Sequence, residues 1–324
     1  MTTFKEIRGN LIKSTSTDPA NPQDGQIWYN STSQVLKGEA LLAAWSSGGS
    51  LSTARSGLGS FGIQTAAVGV AGETGIGAYT NITEEYNGSG WTAGGTSSTT
   101  RGALIAGAGT QTAGMITGGF NGSNLNNTEE YNGSSWTAGG SLTRSASRYN
   151  TVSGTQTAGL CFGGFTPPGT NATEEYNGSS WTAGGSMNVS SHNRAGAGTQ
   201  SASFAAGKEP TGGDSETYDG SSWTSITAMN TARQTGESAG NSTSGLVFGG
   251  NSPAGVPVVG VNTESWDGTS WTNESNLSIA RRNHGTASQG SVTAALGFAG
   301  YSTANTAATE EYSLAPATRT FTTS

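Results

Sequence analysis

The apolar positions of this chain come in short runs, never in the spacing of an amphipathic helix. Runs such as AGMIT, AGLCF and GLVF are bounded by glycines and polar turns. They have the length of strands buried on both faces. The recurring TEEY run alternates, so its first Glu and its Tyr share one face. Asn-Gly or Asp-Gly pairs follow at Asn87, Asn132, Asn177, Asp219 and Asp267. Such pairs mark tight hairpins, whose central residues need positive φ. No segment keeps helical periodicity over ten or more residues, so the pattern predicts an all-β chain.

The strand pattern repeats. TEEYNGSSWTAGG stands at Thr128 and Thr173, and differs by one residue at Thr83. Weaker copies begin at Glu216 and Glu264, and a truncated one at Glu310. The closing tryptophans are Trp45, Trp91, Trp136, Trp181, Trp223 and Trp271, spaced 46, 45, 45, 42 and 48 apart. A small residue plus glycine keeps step: Ala71-Gly72, Gly118-Gly119, Gly163-Gly164, Ala206-Gly207, Gly249-Gly250 and Ala299-Gly300. The glycine of each doublet falls 26 to 29 residues after its tryptophan. Two phased markers define six modules of four strands each, the period of a propeller blade. The glycine-rich first strand suits the crowded axis, and the Trp strand suits the rim.

Residues 1–44 lie outside the repeat. Their QIWYNSTSQVLKG reads as a hairpin, and Trp28 and Tyr29 are expected to anchor this segment to a larger assembly. The expected domains are 1–44 for attachment and 45–324 for a six-bladed propeller, with a tail at 315–324. The segment Leu41 to Trp45 is expected to supply the outer strand of the last blade. The rival is a C-terminal hairpin with Phe321 in place of the tryptophan.

Arginine in the first strand, Gly-Gly after the second, Glu-x-Tyr in the third and Trp in the fourth resemble the kelch repeat across residues 45–314. Arg55, Arg101, Arg233 and Arg281 stand ten residues after their tryptophans. Module three offers Arg144 and Arg148 instead, and module four His192 and Arg194, which interrupts the basis for a regular arginine–glutamate ladder. The lead-in DGQIWYN, the near-identical modules and the terminal TFTTS also resemble repeat proteins of bacteriophage tails and fibres. That resemblance implies a non-enzymatic virion protein serving host attachment. It would be present in several copies, touch other virion proteins, and bind a glycan or protein of the host surface. A cellular kelch-type scaffold and a capsid decoration protein are the alternatives.

Composition narrows these readings. Only 11% of residues are charged and 52 are glycine. Such polarity would describe a disordered chain, but the phased aromatic positions argue for a packed core. Residues 1–44 balance four basic against four acidic side chains, so the repeats carry the whole net charge of −7. An acidic surface opposes nucleic acid. No run of ~18 apolar residues and no secretory leader pattern is present, and the resemblance to phage proteins implies a location in the virion, after assembly in the host cytoplasm.

Candidate chemistry is sparse. Gly57 to Gly62 matches G-x-G-x-x-G and Gly236 to Gly240 matches G-x-S-x-G, but both motifs require a following helix. One cysteine, Cys161, and two histidines give little basis for a metal site; no cofactor is expected. The glutamates two before the aromatic (Glu84, Glu129, Glu174, Glu216, Glu264, Glu310) are dispersed one per module, so a structural ion pair is expected of each. The second Glu (85, 130, 175, 311) is expected to face solvent. The loops between strands two and three vary in every module. Those around Pro167, Pro210, Pro253 and Pro257 are expected to carry recognition. The GTQT-like turns on the opposite side are expected only to close hairpins.

Overall fold

The computed structural model describes residues 12–321 apart from 24, 104–105, 145–147, 168, 211 and 253–257, and no described residue is helical. The chain divides into two units. The larger, Trp45–Tyr312, is a β-propeller arrangement of antiparallel sheets. The first sheet contains Gly59–Ile63, Ala66–Gly75, Ala78–Tyr86 and Trp91–Gly94. The second contains Ala106–Thr110, Ala113–Thr117, Thr128–Tyr131 and Trp136–Ala138, and the third Thr151–Thr155, Ala158–Phe162, Thr173–Tyr176 and Trp181–Ala183. The fourth contains Ala195–Thr199, Ala202–Lys208, Gly212–Tyr218 and Trp223–Ile226, and the fifth Glu237–Asn241, Ser244–Phe248, Thr263–Trp266 and Trp271–Asn273.

The sixth place differs from the expected four-stranded blade. It is a six-stranded sheet, built in part from two long strands, Val35–Gly48 and Thr309–Phe321, that run through both units. In the larger unit it holds Gly285–Thr286, Ala294–Phe298, the start of Thr309–Phe321 and the end of Val35–Gly48. Val35–Gly48 is thus the strand beside Thr309–Phe321, and the C-terminus does not fold back as a local hairpin. Trp45 packs its ring 4.9 Å from Phe248 and 5.2 Å from Tyr312.

The core lies between neighbouring sheets. Phe61, Val68 and Val70 meet Ile116 and Tyr131; Leu160 and Phe162 meet Ala205, Tyr218 and Trp223. Each outer-strand tryptophan also donates its indole N–H to the previous sheet: Trp136 to Thr83 at 3.0 Å, Trp181 to Thr128 and Trp223 to Thr173 at 2.9 Å. Trp45 reaches Thr263 of the fifth sheet at 3.1 Å, and Trp91 reaches Thr309 of the sixth at 2.9 Å, so five tryptophans bond a threonine hydroxyl, while Trp271 donates to the Thr227 backbone oxygen at 3.0 Å instead. Buried indoles need such partners because an unpaired N–H loses its hydration without compensation.

Each of the six large sheets is met by an arginine from the connection before it, buried in five and half-buried at Arg144. Arg55, Arg101, Arg233 and Arg281 pair with Glu84, Glu129, Glu264 and Glu310. The ladder persists where the sequence pattern breaks: Arg194 pairs with Glu216 at 2.8 Å, and Arg144 approaches Glu174 at 3.8 Å. Each of these carboxylates also accepts backbone N–H groups from the connection between sheets, such as Ser98 and Thr99 on Glu129. The second glutamates do not simply face water. Glu85, Glu130 and Glu175 accept the phenol protons of Tyr131, Tyr176 and Tyr218, each at 2.6 Å, and Glu311 accepts that of Tyr86. Burial, and then the adjacent carboxylate, push these four phenols up to about 12.

The GTQT-like turns likewise do more than close hairpins. Gln111 donates to the backbone oxygens of Ala67 and Tyr86 in the preceding sheet. Gln156 reaches Gly114 and Tyr131, and Gln200 reaches Gly159 and Tyr176, in the same way.

The smaller unit comprises the described residues up to Ala44 together with Ser313 to Phe321. Its hairpin Ile27–Asn30 and Val35–Gly48 is joined in parallel by Lys13–Thr15. Asp18 ties it together, accepting from Lys37 at 2.6 Å, Asn30 at 2.7 Å and Trp28 at 3.0 Å. Those bonds, Lys37 foremost, hold its carboxyl down to about 2.

The two glutamates of one strand should separate on mutation. Glu129→Gln leaves the buried Arg101 cation uncompensated and should cost about 3–5 kcal/mol. Glu130→Gln keeps an acceptor for Tyr176 and should cost about 1 kcal/mol. Urea unfolding at pH 7 measures both, and equal losses would contradict the ladder as the main tie.

Candidate functional site

Antiparallel order sends the two–three turns and the connections between sheets to one face of the propeller. The doublets bring the chain there. Gly249 and Gly250 have φ of 66° and 93°, a left-handed pair that turns the chain out of the second strand. A Cβ on Gly250 would lie 2.6 Å from the Gln234 oxygen.

The residue after the doublet then lands on this face, and in three modules it is aromatic: Phe120, Phe165 and Tyr301. Each bridges the connection before the first strand, at Gly102, Arg148 and Arg282 respectively. The outcome is a strip of half-buried rings across four sheets. Tyr79 meets Phe120 edge-on at 5.9 Å; Phe165 lies 6.4 Å from Tyr149 and 4.9 Å from His192. The Arg148 guanidinium joins them, 4.6 Å from the Phe120 ring and 5.2 Å from those of Tyr149 and Phe165. Arg282 stands 5.1 Å over Tyr301 in the same relation. Burial first, then the Arg148 cation, lowers the His192 imidazole, which is therefore neutral near pH 7. Burial raises the nearby Glu209 carboxyl.

The expected recognition loops meet this face unevenly. Pro167 and Pro210 are exposed, and Lys208 pairs with Asp214 at 2.8 Å beside the latter. Pro253 and Pro257 lie outside the described residues; Asn251–Ser252 and Val258–Val259 pair on either side of them. The ETGIGAYTN stretch of module one, expected as a loop, is a hairpin whose ladder continues through Glu73–Tyr79 to Gly75–Ala78. Its Thr74, Tyr79 and Thr80 favour the extended backbone, and only Ile76 and Gly77 turn. Of the expected anchors, Trp28 is fully buried and Tyr29 is 38% exposed, so only Tyr29 presents surface.

At the axis, each connection contributes one left-handed residue: Gly57, Ala103, Tyr149, Asn193, Thr235 and Asn283, with φ of 50° to 63°. Their backbones bond in succession, Gly57 to Asn283, Asn283 to Thr235, Thr235 to Asn193, Asn193 to Tyr149 and Tyr149 to Ala103. Below them is a cavity of about 40 Å³, lined by Tyr149, Thr151, Arg194, Glu237, Thr286 and Ser288 among others. That is room for a few waters. The Glu237 carboxyl has no bonding partner among the described residues, and burial pushes it up to about 8. The two glycine motifs lead into strands, not helices, and no group of three or more potential metal ligands occurs among the described residues. Cys161 is buried, its sulfur accepting from Arg144 at 2.8 Å and Asn150 at 3.2 Å.

No protein-family model matches the chain, and no curated protein matches it either.

Glu237 makes stability depend on pH. Its folded value stands above the ordinary carboxylate value, so the native state holds the proton longer than the unfolded chain does. Stability from this group is full below about pH 4.5 and is lost as pH rises through about 8. Glu237→Gln should therefore melt higher than wild type at pH 9 and alike at pH 5. The gain should be at most a few kcal/mol, since Glu237 is partly exposed. A constant difference across that range would remove the axial carboxyl from the account.

Proposed function

We propose that this chain is a non-enzymatic structural protein of a bacteriophage virion, a tail or fibre component that contributes to host-surface recognition. In this reading the sixth sheet is the sixth blade of a kelch-like propeller, enlarged by the N-terminal hairpin. The virion assignment rests on the resemblance of the lead-in and modules to phage repeat proteins. The observation that carries the division of labour is where apolar surface is left open. Among the described residues, four of the six exposed large hydrophobic side chains, Ile12, Tyr29, Leu41 and Phe321, belong to the smaller unit. Exposed apolar residues gathered in a small unit mark a surface for association. The larger unit supplies a rigid scaffold with varied loops on one face, where binding is usually placed.

The smaller unit therefore docks onto other virion proteins, and the loop face meets a glycan or protein of the host. Tyr29→Asp with Leu41→Asp should leave the melting temperature within a few degrees of wild type and remove the protein from purified particles, as read by mass spectrometry. Wild-type incorporation of the double variant, or particles that never contain the protein, would refute the assignment.

A further inference from the structure

The residue that follows each left-handed member of the axial series occupies an equivalent place in its sheet. It is Leu58 in the first module, Asn150 in the third, Arg194 in the fourth and His284 in the sixth. In the first module the place is an apolar socket, where Leu58 clusters with Phe298 and Ala299 of the neighbouring sheet. His284 fills the corresponding socket between the fifth and sixth sheets and is 0% exposed. Its ring lies 5.5 Å from that of Phe248. A Cβ added to Gly249 or to Gly300 would come within 2.6 Å of a His284 atom. Neither ring nitrogen has a hydrogen-bonding partner among the described residues.

A neutral imidazole carries one N–H, and burying it unpaired costs stability that a leucine would not lose. A protonated imidazole carries two, and a charge. The elements packed around it offer nothing to balance that charge. Ser244–Phe248 with Gly249 and Gly250 contains no ionisable side chain, and neither does Ala294–Phe298 with Ala299 and Gly300. Glu237, on the first strand of the fifth sheet, is pushed up to about 8 by burial and is uncharged in acid. Arg282 turns to the Tyr301 ring. The charged group that acts on His284 is a second cation, Arg281, with which Glu310 is already paired. Arg194 gives the contrast: it is a cation at the same place, and Glu216 meets it at 2.8 Å. Burial, then Arg281, hold the His284 imidazole well below the usual histidine value, so it is neutral at pH 7.

His284 also stands where loosening would spread. Beside it the Gly250 N–H donates to the Arg281 oxygen at 2.8 Å, tying the fifth sheet to this connection. Its neighbour Asn283 accepts from the Gly57 N–H at 2.8 Å and donates to the Thr235 oxygen at 3.4 Å in the axial series. We propose that His284 is an acid-sensitive latch: taking up a proton from solvent loosens the junction between the fifth and sixth sheets, and with it the loop face. The latch is indifferent to what the loop face meets, so it does not rest on the virion assignment.

The native state holds off a proton that the unfolded chain accepts at about pH 6.5, so this stability is full above that value and is lost as pH falls. Glu237 gains stability over the same window, and His192, also lowered by burial, loses some. The informative quantity is therefore the difference between wild type and variants that keep both groups. His284→Leu copies Leu58 and His284→Asn copies Asn150; where one fails to fold, the other decides. Urea unfolding gives the folding equilibrium constant in each case. From about pH 8 to about pH 5.5 wild type should lose about tenfold in that constant relative to either variant. Hydrogen exchange at the acid end locates the change. Ser244–Phe248 and Ala294–Phe298 should exchange faster in wild type than in the variants, while Ala113–Thr117 of the second sheet exchanges alike. A difference in stability that stays constant with pH overturns the proposal. Faster exchange spread equally over all sheets also overturns it, because the histidine would then weaken the whole fold and latch nothing.

Discussion

The buried guanidinium is the interaction on which the rest of the propeller depends. The doublet that turns the chain out of the second strand leaves its carbonyl in the interior, and so does the residue before the third strand. Arg101 donates to both, at Gly118 and Asn127, Arg233 to Gly249 and Asn262, and Arg281 to Ala299 and Ala308. The carboxylate on the third strand then neutralises the cation and holds the incoming connection by its backbone N–H groups. A buried ion pair adds little net stability by itself, because desolvation offsets the Coulomb gain. Here it satisfies carbonyls that the left-handed doublet would otherwise orphan, and those are costly to leave unpaired.

That requirement is one of position in space, and it explains why the sequence shows it imperfectly. In module three Arg144 starts two residues earlier than its counterparts, yet its guanidinium reaches the same carbonyls, Gly163 at 2.8 Å and Ala172 at 3.0 Å. Its other nitrogen meets the Cys161 sulfur, and the glutamate is held by backbone N–H groups instead. In module four Arg194 enters from the residue just before the strand Ala195–Thr199. A reading that counts residues from tryptophan sees gaps. Long, flexible side chains make the gaps harmless.

The strands, the place of the tryptophans and the strand beside Thr309–Phe321 were legible because each leaves a local mark. The ties between sheets were not, because both partners look unremarkable within one module. Glu85 resembles a solvent residue until it is compared with Tyr131, one module on. The chain does contain that signal: where the second Glu gives way to Thr217, the next module has Trp266, which has no phenol to donate. Ser265 before Tyr312 is the exception that weakens it. The ring strip was legible in part, since Phe120, Phe165 and Tyr301 directly follow their doublets. Tyr149 and His192 come from connections whose path only the fold shows, and the burial of Trp28 depends on Asp18, ten residues away and outside any strand signal.

Closure decides whether the loop face is a stable platform. A ring of sheets is as rigid as its weakest junction, and here the chain passes from Val35–Gly48 of the sixth sheet directly into Gly59–Ile63 of the first. The same ties recur there. Gln64 donates to the Ala295 and Tyr312 oxygens at 3.0 and 2.7 Å, Trp91 to Thr309, and Tyr86 to Glu311. Phe298 of the sixth sheet lies 4.6 Å from the Trp91 ring, closing the apolar layer as well. The junction is therefore built from the same bonds as those within the repeat. The axial backbone bonds run past it, from Gly57 of the first connection to Asn283 of the last. Tyr149 is a member of that axial series and also a ring of the surface strip. The closure that holds the axis therefore also fixes a ring of the loop face.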